Sequence, residues 1–313
     1  MNLRFVEAFY WVASLKSVSR AAEKLFITQS AMSSRIAALE EELGVLLLDR
    51  RDKQFRLTVA GLRFYGHAQK LLALQRDIQA ELGEVSGQAR AVSLRIGVIE
   101  SVLHSWLIDW VHHMRQHQPD FELELTVETT PVLVDQMQRG TLDLVFCALP
   151  CAGEGLRSKP MVPMEMVFVG HTQTHRKRRY SLADLGATEL LTFQRGSQPH
   201  VALMDLFRAA QIKPRRVHTI SSISAMVQLV EGGLGVATLP KAAARRLSAR
   251  LPLKQLPTDV AMPALPLHAS YRQDPKSDDA WQVLAQIIDY LAGQPKASVA
   301  SQGRASPRPK PLS

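Results

Sequence analysis

The sequence predicts an α/β protein with an all-α-rich N-terminal domain, and three observations lead there. Apolar residues recur at helical spacing from Leu3 to Leu43, a single long amphipathic segment follows, and from Val92 strand-like and helix-like segments alternate. At 313 residues the chain has room for roughly two to three domains, because single cores usually stop growing near ~250 to 300 residues.

Three helical patterns open the chain. The first runs from about Leu3 to Ser14 with Val6, Phe9, Val12 and Ala13 on one face, the second follows Ser17, and the third follows Thr28. Only Phe26 and Ile27 separate the second from the third, so those helices must cross sharply, and Ala21 and Ala22 are small enough to let them approach. This is helix-turn-helix spacing. In the third helix Met32, Ile36, Leu39 and Leu43 lie at i, i+4, i+7 and i+11 and form a core-facing stripe. The outward turn, Thr28 to Ser34, is small, hydroxylic and uncharged.

After Gly44, "VLLLDRRDKQFRLTVAG" places two short extended runs around the polar stretch Arg51 to Gln54, the pattern of a hairpin or wing. Thr58 is a candidate cap for a helix of about Val59 to Val85, ~40 Å long at 1.5 Å per residue. Phe64, Leu71, Ile78 and Val85 recur there every seven residues, with Ala68 and Leu82 at companion positions. Such a seam calls for a partner helix; packing on its own domain is the alternative.

In the second half "SLRIGVIE", "FELELTVE", "LDLVFCAL", "MVFVG", "LLTF", "RRVHTI" and "LGVATLP" read as strands. Helical patterns lie between them, at 102–117, 132–139, 201–210 and 223–231. The alternation predicts largely parallel sheets whose ligands gather beyond strand C-termini, at helix N-termini. The stretch 294–313, rich in Pro, Ser and basic residues, reads as a disordered basic tail.

The formal charge of +9 invites a nucleic-acid partner, yet its placement says little. Arg176, Lys177, Arg178 and Arg179 form one basic run, and Lys296, Arg304, Arg308 and Lys310 another, whereas residues 1–58 carry nine Lys or Arg against seven Asp or Glu. Cys147 and Cys151 are too few for a disulfide framework and lack paired zinc spacing. No segment has ~18 uninterrupted apolar residues and the first residues do not resemble a secretory signal, so the expectation is a cytoplasmic, nucleoid-associated protein with no membrane contact.

Phe9, Ala21-Ala22, Leu25, "TQSAMS", "IAALEEELG", Val45 to Arg50 and "LTVAG" stand at spacings that together resemble the LysR-type bacterial transcriptional regulators. "LRIGV", "LVDQMQRGTLDLVF" and "VQLVEGGLGVATLP" extend the resemblance to about residue 293. It implies a winged helix-turn-helix DNA-binding domain (1–58), a linker helix that pairs antiparallel with its mate (59–88), and a two-lobed, periplasmic-binding-protein-like effector-binding module (89–293). Lobe I would span about 92–161 plus 267–293, and lobe II 162–266. The resemblance further implies a homotetramer built as a dimer of dimers, double-stranded promoter DNA and RNA polymerase as partners, and a small organic effector, whether acid, amino acid or amine. It implies no cofactor, no metal and no catalysis.

On that basis the DNA-binding candidates are Thr28, Gln29, Ser30, Ala31, Ser33, Ser34 and Arg35. Major-groove base edges call for short polar groups and close approach; Gln29 can pair with an adenine edge and Ala31 can face a thymine methyl. Many relatives carry a basic or amide side chain directly after the serine matching Ser33. This chain has Ser34 there and its cation at Arg35. Arg51, Lys53 and Arg56 would set the wing on the phosphate backbone. Dimerisation is expected through Phe64, Leu71, Ile78, Leu82 and Val85.

The effector candidates are Glu100 and Ser101 after the first strand, Thr129 and Thr130 after the second, Ser197, Gln198, Pro199 and His200 in "RGSQPH", and Ser222 and Ile223 opening a later helix. Relatives that bind organic acids tend to have an uncharged residue at Glu100. A carboxylate facing the cleft, with Glu128 adding to it, would oppose an anionic effector and leave room for an amine-bearing or zwitterionic one, unless strand alternation turns either glutamate away.

Three rival readings have weaker support. Ser101, His104 and Asp109 suggest a hydrolase, but no nucleophile elbow accompanies them. His113 and His117 share a helical face without a third ligand. Cys147 and Cys151 could sense peroxide, although no basic environment surrounds either thiol.

Overall fold

The computed structural model describes residues 1–49, 55–86, 93–118 and 121–293, without the side chains of 80, 81, 83–86 and 93. Arg51, Lys53, the Val85 side chain and the stretch 294–313 therefore lie outside the described residues.

Three helices, α1 (Leu3–Leu15), α2 (Val18–Lys24) and α3 (Gln29–Leu43), make the first domain. Each starts on a side-chain cap: Asn2 accepts from Arg4 N, Ser17 from Arg20 N and Thr28 from Ala31 N. The α2–α3 turn is tight because Phe26 takes a left-handed conformation at φ 52°, uncommon for a bulky residue. Behind it Phe9, Trp11, Met32, Ile36 and Leu39 close a core.

A short antiparallel wing follows, β1 (Leu48–Asp49) against β2 (Arg56–Leu57). It is tied to α3 by the buried Glu40, whose Oε1 accepts from Leu47 N (2.8 Å) and Leu48 N (3.0 Å). Thr58 caps the long helix α4 (Val59–Ser86) through Gly61 N. A Cβ at Gly61 would overlap the Leu47 carbonyl oxygen, which is why "LTVAG" needs glycine where helix meets wing.

The first turns of α4 belong to this domain's core. Ala68 and Leu72 are buried in it, and the Phe64 ring lies 5.3 Å from that of Phe9. Phe64, expected in the intermolecular seam, is half-buried against its own domain. Farther along, where the helix outruns that core, Leu74, Ile78 and Leu82 are exposed, Leu82 at 65%.

Lobe I begins with β3 (Ser93–Val98), α5 (Glu100–Val102), a π-helical turn (Leu103–Leu107), α6 (Ile108–His117), β4 (Glu122–Val127), α7 (Thr130–Arg139), β5 (Leu144–Cys147) and β6 (Leu156–Met164). Lobe II holds β7 (Met166–His171), α8 (Leu182–Gly186), β8 (Glu189–Thr192), α9 (Gln198–Ala209), β9 (Arg216–Thr219), α10 (Ile223–Glu231), β10 (Val236–Pro240), α11 (Lys241–Ser248) and β11 (Leu253–Gln255). The chain then returns to lobe I with β12 (Leu265–Arg272) and α12 (Asp279–Gly293). The first crossing comes later than the expected boundary at 161 because β6 continues to Met164.

Both sheets are mixed, which corrects the expectation of largely parallel ones. Lobe I orders its strands β4-β3-β5-β12-β6, with β12 antiparallel to both neighbours, and lobe II orders them β11-β7-β10-β8-β9, with β7 antiparallel to β10 and β11. The antiparallel members are strands formed where the chain crosses between lobes. β6 escaped a sequence reading because "LRSKPMVPM" contains two prolines, tolerable only on the sheet edge it occupies.

The first domain packs on lobe I through polar contacts. Asp143 sits at their centre: Arg95 grips it with Nε at 2.9 Å and Nη2 at 2.7 Å, and Lys24 of α2 reaches it at 2.7 Å. Burial alone would raise this carboxyl, but the Arg95 and Lys24 contacts outweigh it and hold Asp143 at about 2. Around it Glu7 pairs with Lys276 (3.0 Å), Arg76 with Asp278 (2.9 Å) and Lys16 with Glu154 (3.1 Å).

Candidate functional site

Two surfaces collect the candidate residues. The first is the opening turn of α3, where Thr28, Gln29, Ser30, Ser33 and Ser34 are exposed and Ala31 and Arg35 half-buried, over the buried Met32, Ile36 and Leu39. The hydroxyls are partly pre-set: Thr28 Oγ1 lies 3.0 Å from Ser30 Oγ, and Ser34 donates to Ser30 O at 3.0 Å. Gln29 Oε1 accepts from Ser19 Oγ of α2 at 3.3 Å, which leaves its amide NH2 outward. Arg56 is exposed on the wing strand beside this turn's domain. The basic run at 176–179 is spent elsewhere: Lys177 pairs with Asp184 (2.6 Å) and Arg179 with Asp259 in lobe II.

The second surface is the junction of the two lobes, and here the structure departs from expectation. Glu100 of lobe I does not project into an open cleft. Its carboxylate crosses to lobe II and accepts from Ile223 N (2.6 Å), Ser222 Oγ (3.2 Å) and Ser224 N (3.5 Å), with His104 Nε2 at 3.5 Å on its own side. Burial opposes its charge, but hydrogen bonds from His104 and the Ile223 and Ser224 amides leave its pKa below the ordinary value. This carboxylate is therefore engaged by lobe II donors and by His104 and does not stand free in the cleft.

The other junction candidates are distributed unevenly. Ser222 caps α10 through Ala225 N, while the Ile223 side chain is core and only its N–H is used. Ser101, expected at the cleft surface, is 3% exposed. Thr129 begins α7 without a side-chain cap, and Thr130 Oγ1 instead accepts from Ala148 N of lobe I at 3.3 Å. Ser197 begins α9 with its Oγ enclosed and unpartnered, followed by exposed Gln198, buried Pro199 and His200, whose Nδ1 accepts from Gly196 N at 3.3 Å. Burial and Arg195 lower the His200 pKa. Glu128 is exposed.

Two of the three rival constellations do not assemble. His104 turns to Glu100 and Asp109 pairs with Arg246 of α11, so Ser101, His104 and Asp109 form no relay. The His113 and His117 ring centroids lie 4.1 Å apart with the planes tilted by 35°, and no group of three metal-ligating side chains exists among the described residues. Cys147 and Cys151 are buried free thiols, and Cys147 Sγ donates to Leu149 O at 3.0 Å. The interaction of the two thiols pushes Cys147 up and lowers Cys151 to about 7.

A helix-turn-helix domain with a polar, exposed turn opening α3, joined by a long helix to a two-lobed α/β module, defines a ligand-responsive DNA-binding regulator. The comparisons give the family. Residues 3–62 match the model of the bacterial regulatory helix-turn-helix protein, lysR family, and residues 87–292 match the LysR substrate binding domain. The chain belongs to the LysR family of transcriptional regulators, which are not enzymes.

Curated relatives include a probable hydrogen peroxide-inducible genes activator of Mycobacterium avium, 28% identical over 91% of this chain and 93% of that protein. The regulator BenM of Acinetobacter baylyi is 26% identical over 77% of this chain and 80% of that protein. Among solved structures, ArgP of Mycobacterium tuberculosis covers 92% of this chain and 97% of its own with a TM-score of 0.59 at 21% identity. Full-length CbnR complexed with its target DNA covers 93% and 100% with a TM-score of 0.53 at 22% identity. No helix among the described residues is long and apolar enough to cross a membrane.

Proposed function

We propose that the opening turn of α3 enters the major groove of promoter DNA and reads base edges with Gln29, Ser30, Ser33 and Ser34. Thr28 and the helix N-terminus would hold a phosphate, Ala31 would lie against a thymine methyl, and Arg35, with Arg51, Lys53 and Arg56, would anchor the backbone. The observation that carries this reading is the exposed, uncharged hydroxyl and amide surface laid over a closed core. Two copies pair through the exposed α4 positions Leu74, Ile78 and Leu82, adjoining Leu71 and Val85, since these stand beyond the reach of their own domain. Dimers of such dimers would bend the promoter and meet RNA polymerase.

A small organic effector acts between the lobes, among Thr129, Thr130, Ser197, Gln198, Pro199, His200 and Ser222, and shifts the balance between two lobe arrangements. The unpartnered Ser197 hydroxyl at the start of a twelve-residue helix supports this placement. Footprinting on DNA flanking the protein's own gene, with and without a metabolite panel, tests the whole reading. A protected site whose length or hypersensitivity shifts with one metabolite is the expected result, and a footprint unmoved by lobe ligands would contradict it. Arg35→Ala should lower operator affinity and reduce the slope of log K against log salt by about 0.9 if Arg35 neutralises one phosphate. An unchanged slope would place Arg35 off the backbone.

A further inference from the structure

Glu100 begins α5 on lobe I, yet the donors that satisfy it are on lobe II, at the first turn of the nine-residue α10. A helix start presents unpaired N–H groups and the positive end of the peptide dipoles, the arrangement proteins use to hold anions. Here that arrangement is occupied from across the cleft: Ile223 N donates at 2.6 Å, Ser224 N at 3.5 Å and Ser222 Oγ at 3.2 Å. Among the described residues no lysine or arginine pairs with this carboxylate; only His104 accompanies it, at 3.5 Å. On lobe II the anion is held by two amides and a hydroxyl, so another anion can take its place there without stranding a lysine or arginine. The lobes have further connections, through Asp109 with Arg246 and through an apolar cluster that runs from Leu94 of lobe I to Phe207 of lobe II. Loss of Glu100 would therefore loosen the cleft rather than unfold the module.

We propose that Glu100 is the protein's own resident ligand: its carboxylate fills the anion seat at the start of α10 and holds the lobes closed, so that a carboxylate effector must displace it. The inference rests on the cleft being the effector site and adds which residue decides what can enter. A lobe II seat that would otherwise accept any small carboxylate is closed to weak ones, because they must compete with a tethered group present at high effective concentration.

The test follows amide exchange by mass spectrometry in the peptide covering residues 220–226 of the full-length protein, in wild type, Glu100→Ala and Glu100→Gln, with sodium acetate as the probe and sodium chloride as the ionic control. Exchange should be at least tenfold faster in Glu100→Ala and intermediate in Glu100→Gln, which keeps an oxygen acceptor but no charge. Acetate, and not chloride, should restore protection in Glu100→Ala while leaving wild type unchanged. Unaltered exchange in the variants would overturn the proposal, and so would faster exchange that acetate fails to restore. Should Glu100→Ala fail to fold, Glu100→Gln carries the same two outcomes. A DNA footprint measured alongside separates the two readings. Variants that lose and regain protection with no change in footprint leave the Glu100 seat standing and remove the effector-controlled reading.

Discussion

Asp143 and Glu100 are both carboxylates of lobe I that reach into a second structural unit, and they do so in opposite ways. Asp143 meets the first domain inside a ring of fixed cations, with Arg95 bidentate on one side and Lys24 on the other, and only 18% of its side chain is exposed. Glu100 meets lobe II at 19% exposure, nearly the same, but its partners there are two amides and a hydroxyl. Burial is therefore not what separates them. Removing Asp143 strands two positive charges, whereas removing Glu100 leaves an empty seat on a helix start that water or another anion can fill. The first junction is built to stay together, and the second is built to be exchanged.

The largest effect expected from this contrast is on global stability. Asp143→Ala should cost about 3–5 kcal/mol in denaturant unfolding, because Arg95 remains buried without its counter-charge. A loss below ~1 kcal/mol would mean that the triad is no more than surface pairing. Acid should reveal the same group more gently. The folded carboxyl titrates at about 2, below its usual value of 3.8, so its contribution is complete above pH ~4 and is lost as pH falls towards 2. Roughly 2–3 kcal/mol should disappear over that window and be absent from Asp143→Asn. Unfolding measured across pH 2–5 in both proteins checks the sign and the size.

At the other junction Ser222→Ala should cost about 1 kcal/mol as a lost helix cap, with the Ile223 N–H to Glu100 bond retained. A loss as large as that at Asp143 would erase the distinction between the two sites. The smallest effect is expected from the buried pair Cys147 and Cys151, which lies within lobe I and joins no two units. Replacing both by serine and treating wild type with peroxide should each leave the DNA footprint unchanged. A peroxide response abolished by the double substitution would instead bring thiol control to the front.

Much of the architecture was legible because its signals are local. Ser17, Thr28 and Thr58 cap the helices they precede, and Met32, Ile36 and Leu39 are buried at the spacing that predicts a core stripe. The polar opening turn of α3 was visible for the converse reason: a run of short hydroxyls with nothing apolar to bury must face outward. What escaped depends on partners distant in the chain. Phe64 fits a heptad seam but meets Phe9, which no spacing within α4 could disclose. β12 lies inside its sheet, between β5 and β6, only because the chain returns to lobe I after lobe II is complete.

The sequence by itself determined a helix-turn-helix domain joined by a long helix to an α/β module, because helix periods and caps are set by neighbours within a few residues, and its motifs resemble those of the LysR-type regulators. It also marked Glu100 as out of place. Only the tertiary structure decided what that residue does, because the donors that take its charge lie 122 to 124 positions away on another lobe. Electrostatics acts through space, and the sign of a side chain's effect on a ligand depends on which groups have already claimed it.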